Sequence, residues 1–504
     1  MRPASRPARL APALVLLTLL VAAGPAQAQT SCVGGTAGTY ACEGVDLLAN
    51  LPRSTFTPDA PTRNNDLWGW TDPQDGSEYA LVGLNNGTAF VDVTDPMTPV
   101  YLGKLPTATS TATWRDIKTY ADHAFIVADG AGAHGVQIFD LTRLRDVQSP
   151  PVVFTADANY NGVSGNRPNS SHNIVIDTEA GLAALVGSDD CAGGLHLADL
   201  TDPVSPTFQG CYSGSGYTHD AQCLTYSGPD PDYAGRPICA GFNTDRVVFV
   251  DVSDPTNPTL ISEGFYPSPS YTHQGWFTED QRYVLVDDEI DDFISATTRT
   301  IVLDVEDLDN PDFAFAYFGP LEVTDHNLYV RGQYAFLSNY EGGLRIVDLS
   351  GIDSGTLVEV ASFDTYPQGN AESYNGQWSN YPYFESGTII ANDRDNGLFV
   401  LEASGIALPS EPAAPAAAPV LSAPVPNPSS GRSAVTLTVP EPVEIVAEVL
   451  DLQGRRVALV YEGPATPAAP LALTVDGRDL PSGLYLLRVT GPRFTATRRL
   501  SFVQ

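Results

Sequence analysis

A short apolar strand that ends in an acid recurs seven times along the chain, as Phe90-Val91-Asp92, Ile138-Phe139-Asp140, Leu197-Ala198-Asp199, Phe249-Val250-Asp251, Val302-Leu303-Asp304, Ile346-Val347-Asp348 and Val400-Leu401-Glu402. The spacings are 48, 59, 52, 53, 44 and 54 residues, a period that suits blades of four short strands arranged radially. Several copies run on into Asp-Pro turns, at Asp95-Pro96, Asp202-Pro203 and Asp254-Pro255, where proline presets φ and the aspartate bonds the turn backbone. These acids therefore read as structural. From Ser171 one repeat reads strand (HNIVIDTE), strand (LAALVGS), strand (GLHLADL) and strand (PTFQGCY), separated by turns. No stretch sustains a helical period. The pattern predicts an all-β fold, a seven-bladed β-propeller over residues 29–407. The last repeat holds only three strands, Gln377 to Phe384, Gly387 to Asn392 and Leu398 to Glu402, so Val45-Asp46-Leu47-Leu48 is expected to supply the missing outer strand and close the ring.

Upstream of the repeats, Arg2, Arg6 and Arg9 precede an apolar run from Leu10 to Ala23 and then Ala26-Gln27-Ala28, the pattern of a cleavable signal peptide over residues 1–28. No later stretch has the roughly 18 apolar residues of a spanning helix. The protein is thus expected to be exported, without a transmembrane helix. It carries 26 basic and 60 acidic residues, a net charge of −34, which argues against nucleic acid as a partner and suits a surface adapted to salt, or cation binding. Six cysteines in an exported chain favour disulfides, and their order suggests Cys32–Cys42, Cys191–Cys211 and Cys223–Cys239, although 15 connectivities are open.

Leu344-Arg345-Ile346-Val347-Asp348 resembles the LVIVD repeat of bacterial surface propellers, and LWGWTDP (67–73), YTHDAQC (217–223), YTHQGWFTED (271–280) and DHNLYV (325–330) resemble the choice-of-anchor B family. That resemblance implies one propeller carried on different C-terminal anchors, with no established catalysis. Residues 408–424 are an Ala- and Pro-rich linker by composition. Beyond it, 425–504 alternate strands and turns as a small β-sandwich would. Within them Pro426-Asn427-Pro428, Val449-Leu450-Asp451-Leu452-Gln453-Gly454-Arg455 and Leu480-Pro481-Ser482-Gly483-Leu484-Tyr485 resemble the type A C-terminal sorting domain of the type IX secretion system. The resemblance implies the secretion machinery as a partner, export, removal of the domain, and release or surface attachment of the product. The competing reading is an ordinary accessory sandwich.

The sequence has no nucleophile elbow, Walker loop, HExxH helix or CxxC pair. Any site must come from residues that the repeats bring together. Four histidines open the first strand of their repeats, as His172-Asn173, His219-Asp220, His273-Gln274 and His326-Asn327, at spacings of 47, 54 and 53. The same position elsewhere falls at Asn65-Asp66, Arg115-Asp116 and Asn375-Gly376. First strands surround a propeller's channel, so His172, His219, His273 and His326 are expected at one mouth as tentative metal ligands. A ligand-binding rim would comprise Asn65, Asp66, Arg115, Asp116, Asn173, Asp220, Asn327 and Asn375. Neutral imidazoles beside carboxylates suit zinc or another first-row divalent ion; the structural alternative has each histidine bonding a neighbouring blade's backbone. Two acidic segments are weaker cation candidates. Asp287, Asp288 and Asp291 belong to a dense run that also reads as a solvated loop, and Asp157-Ala158-Asn159-Tyr160-Asn161-Gly162 mimics the start of a calcium loop but meets Pro168 where its glutamate belongs. Two functions follow: an exported scaffold that binds protein, glycan or a small ligand on the propeller face, or a hydrolase or lyase using a metal in the histidine ring.

Overall fold

The computed structural model describes residues 29–56, 62–291, 295–406, 408 and, from 420 to 503, all but 423, 440–442, 451–454, 467–469, 479 and 492–493. The leader expected over 1–28, most of the linker expected over 408–424, Asp292 and Asp451 to Gly454 lie outside the described residues. The chain forms two compact units that part between Pro409 and Ser410.

In the first unit the described strands make seven sheets of four to six strands. Their first strands are Asn64–Thr71, Trp114–Tyr120, Asn173–Asp177, Asp220–Thr225, Thr272–Phe277, Asn327–Arg331 and Gln377–Tyr381. Every acid-ending signature is the third strand of its sheet, from Gly87–Asp92 in the first to Gly397–Glu402 in the seventh. The acid turns the chain. Asp92, Asp140, Asp199, Asp251, Asp304 and Asp348 each accept the backbone N–H two residues on, at 2.6–3.0 Å.

Third strands are apolar on both sides because both sides are buried. Ala89 and Val91 pack with Leu67 and Val82 on one side of the first sheet, whereas Phe90 faces the other and stacks on Phe139 of the second sheet at 4.6 Å. Successive residues of a strand point to opposite faces, so each sheet contributes to two cores. Six apolar clusters join consecutive sheets in this way. A further one joins Leu51, Ile390 and Val400 of the seventh sheet to Leu67, Val82 and Val91 of the first. The edge of the seventh sheet is occupied by Asp46–Leu51, which pairs antiparallel with Gly397–Glu402, Leu47 opposite Leu401 and Leu51 opposite Leu398. This is the closure expected from Val45-Asp46-Leu47-Leu48. A hairpin of Thr36–Ala37 and Tyr40–Glu43, not foreseen from sequence, covers the outer edge of the sixth sheet, Cys42 opposite Phe363.

The six cysteines form three disulfides, Cys32–Cys42, Cys191–Cys211 and Cys223–Cys239, and the last links residues directly opposite each other on adjacent strands. Three such bonds fit an oxidising compartment. Among the described residues no helix is long and apolar enough to cross a membrane.

In the second unit the described strands make a three-stranded and a four-stranded sheet. Arg432–Thr438 alternates exposed and buried side chains along its length. Val435, Leu437, Leu473 and Val475 of one sheet share a core with Ala447, Val449, Leu487 and Leu500 of the other.

Candidate functional site

The four histidines at the strand starts come together. Ring centroids lie 4.3 Å apart for His172 and His219, 4.2 Å for His219 and His273, and 4.5 Å for His273 and His326. Two of the rings are held by the next sheet. His219 Nδ1 bonds the His273 carbonyl at 3.0 Å, and His326 Nδ1 bonds at 2.5 Å the carbonyl of Trp378, which holds this register in the seventh sheet in place of the expected Asn375. Carbonyl oxygens only accept, so Nδ1 carries the proton in both rings and Nε2 keeps a lone pair. His172 differs, with Nδ1 3.0 Å from Asp129 Oδ2. Burial drives the His326 pKa down to about 3 and, with the neighbouring histidines, holds His219 and His273 well below the usual histidine range. These three rings are neutral at pH 7.

The carboxylate that approaches them is Glu289, which sequence reasoning passed over inside the acidic run. Its Oε2 lies 3.7 Å from His273 Nε2 and its Oε1 3.8 Å from His326 Nε2. Tyr340 donates its hydroxyl to Oε1 at 2.8 Å, and the Tyr340 ring packs 4.6 Å from His326. Exposed Trp114, Tyr217 and Tyr374 stand around this end.

The rim residues divide. Asp66, Asp116 and Asp220 gather around a buried lysine, Lys118, whose Nζ lies 2.6 Å from Asp116 Oδ1 and is attracted by the other two carboxylates. Three acids share one ammonium. Burial first, and then the charge of Asp116, raises Asp66 to about 7, and burial holds Asp220 well above the usual carboxylate range. Arg115 sits between sheets, 1% exposed, donating to the Leu84 carbonyl at 3.0 Å and the Thr107 hydroxyl at 2.9 Å, with Nη1 3.1 Å from His134 Nε2. Asn65 donates to the Thr113 carbonyl, Asn173 to the His219 carbonyl, Asn327 to Ser379 Oγ and Asn375 to Glu341. The expectation had both members of each pair facing one opening. A strand alternates sides at every residue, so Asn65 and Arg115 bond neighbouring sheets while Asp66 and Asp116 turn toward Lys118.

Asp287, Asp288 and Asp291 are fully buried, which corrects their reading as a solvated loop. Arg299 Nε lies 2.5 Å from Asp291 Oδ2, and Asp288 accepts from Tyr266 Oη at 3.0 Å and from the backbone of Ser270 and Tyr271. A guanidinium already stands where a cation would. Burial and the charge of Asp291 push the Asp287 carboxyl well up, toward its neutral form. The calcium-loop mimic is likewise a strand: Ala158–Tyr160 pairs with Val136 to Ile138, and Asp157 binds Arg143 at 2.7 Å.

A second feature, unseen in the sequence, lies toward the other ends of the first strands. A cavity of about 370 Å³ is lined by Trp68, Lys118, Asp177, Gln222, Thr225 and Trp276, among others. Both tryptophans are half-buried and braced edge-on from behind, Trp68 by Tyr381 at 5.1 Å and Trp276 by Tyr329 at 5.1 Å. Lys118 Nζ stands 4.6 Å over the Trp68 ring. Polar groups are fixed beside them, Thr225 donating to Asp177 at 3.0 Å and Gln222 accepting from the Phe277 backbone at 2.7 Å.

Residues 238–263 and 326–365 match the LVIVD repeat family, and the chain is a β-propeller-type protein carrying these repeats. Among solved structures it is similar to the β-propeller domain of Cps50 (Swd1) from Myceliophteria thermophila, with 11% identity, a TM-score of 0.43 and coverage of 68% of this chain and 98% of that one. A protein from Lactobacillus plantarum covers 82% and 100% at 12% identity and a TM-score of 0.42. U3-55K covers 71% and 98% at 7% identity and a TM-score of 0.46. No curated protein matches the chain.

Proposed function

We propose that the first unit is a seven-bladed β-propeller of the choice-of-anchor B type, exported to the medium or the cell surface, where it works as a binding or scaffold protein. Seven sheets with a shared core between each neighbouring pair, the last pair included, support the blade count. The observation that carries the binding role is the cavity walled by Trp68 and Trp276. Two braced aromatic faces beside fixed hydroxyl, amide and carboxylate groups form the kind of concave site that takes a polar ligand with apolar faces, and a glycan has that character. The C-terminal unit is then a β-sandwich read by the type IX machinery and removed, a reading supported by its PNP, LDLQGR and LPSGLY stretches.

The test is a titration of the full chain with a panel of soluble oligosaccharides, read by isothermal titration calorimetry. At least one glycan class should give a saturable heat, and Trp68→Ala with Trp276→Ala should abolish it while the melting profile persists. A panel-wide lack of response, or binding that survives the double substitution, would overturn the assignment. A second reading, a metal-dependent hydrolase or lyase centred on the histidines, is favoured by one observation, the approach of Glu289 to His273 and His326.

A further inference from the structure

We propose that His273, His326 and Glu289 bind one first-row divalent cation of the zinc class at the histidine end of the channel. The site is distinct from the tryptophan-walled cavity and does not depend on a glycan being its occupant.

One ligand atom from each of the three residues lies within 4.8 Å of the other two. The approaches of 3.7 and 3.8 Å to Glu289 exceed by only a few tenths the separation of about 3.4 Å that metal–ligand bonds of about 2.0–2.1 Å impose on a tetrahedron. The second observation is the direction of the lone pairs. His326 Nδ1 donates to the Trp378 carbonyl, so its Nε2 is an acceptor, and it faces Glu289 Oε1, another acceptor. His326 and His273 are each 3% exposed. Two acceptors aimed at each other in a buried site offer a place for a positive centre between them. A divalent cation satisfies both imidazoles and the carboxylate together.

The surroundings match what metal sites need. At His326 the Trp378 carbonyl fixes the tautomer that exposes Nε2, and Tyr340 steadies the carboxylate at 2.8 Å, the outer support that ligating groups commonly have. Three protein ligands leave a fourth position for water or a substrate atom. His219 is the next ring in the row, 4.2 Å from His273 between centroids.

The experiment uses the full chain stripped with a chelator, desalted, and titrated with Zn²⁺ or Co²⁺. One equivalent should be retained per chain by elemental analysis, and Co²⁺ should give the visible absorption of a four- or five-coordinate ion. His273→Ala with His326→Ala should lose both signals. Should that pair fail to fold, Glu289→Gln, at a partly exposed side chain, decides by the same readouts. Tyr340→Phe should weaken affinity about 10-fold. Asp307→Asn with Asp309→Asn, in an exposed acidic cluster, should leave retention unchanged. No uptake by the stripped chain, or uptake that Glu289→Gln leaves intact, would overturn the site. Glycan titration is run with chelator present, so the two readings fail separately.

Discussion

A chain that begins at Thr62 is expected to lose the cooperative unfolding of the first unit. The deletion removes Val45, Leu47, Leu48, Leu51 and Phe56, all 8% exposed or less. At about 1.5–3 kcal/mol for each buried apolar side chain, the loss is roughly 8–15 kcal/mol, as large as the whole stability of an ordinary domain. It also uncovers the edge of Gly397–Glu402, which Asp46–Leu51 otherwise pairs, and an uncovered edge recruits other chains. The shortened protein should aggregate or melt over a broad range at much lower temperature by circular dichroism. A sharp transition within a few degrees of the intact chain would mean that the N-terminal strand does not close the ring.

Arg115→Ala should cost about 3–5 kcal/mol, the scale of a large buried truncation that also orphans hydrogen-bond partners. The guanidinium lies between the first and second sheets, and its removal leaves the Leu84 carbonyl, Thr107 and His134 Nε2 without their donor. Burying a guanidinium has its own penalty, visible in an Arg115 pKa pushed down to about 10. That penalty offsets part of the loss without cancelling it, because three acceptors lose a partner for one cation removed. A second signature accompanies the change. Burial and the Arg115 charge hold His134 at about 4; with that charge gone, its pKa should climb toward the usual range in an NMR titration. A stability change below about 1 kcal/mol with an unmoved His134 would contradict the placement of Arg115.

Much of the fold was readable because the strand signature carries its own explanation. An apolar run buried on both faces must be an inner-layer strand, and an acid at its end must turn the chain, so Phe90-Val91-Asp92 and its copies locate the third strand of every sheet. The shortfall in the last repeat likewise pointed to Asp46–Leu51. The histidine register was visible for the same reason, since equal spacing along a repeat means an equal height in the ring. Side-chain direction was not visible. Whether Arg115 points toward a channel or between sheets depends on strand alternation and on what Leu84 and Thr107 present, and neither is fixed by spacing. Glu289 was hidden among neighbours of one chemistry, of which Asp288 and Asp291 are tied to backbone and to Arg299. The cavity was hidden for a different reason. Trp68, Lys118 and Trp276 come from three sheets, and no local motif links a lysine to an aromatic ring some 50 residues away in sequence.

The intact mass of the protein recovered from culture medium and from the cell surface tests most directly the proposal of an exported propeller with a disposable C-terminal unit. The predicted product begins near Gln29, retains Glu402, and ends within residues 408–424 or is fixed to the surface there. Recovery of a secreted form that still contains Tyr485, or of a chain that keeps Met1 and stays inside the cell, would contradict it.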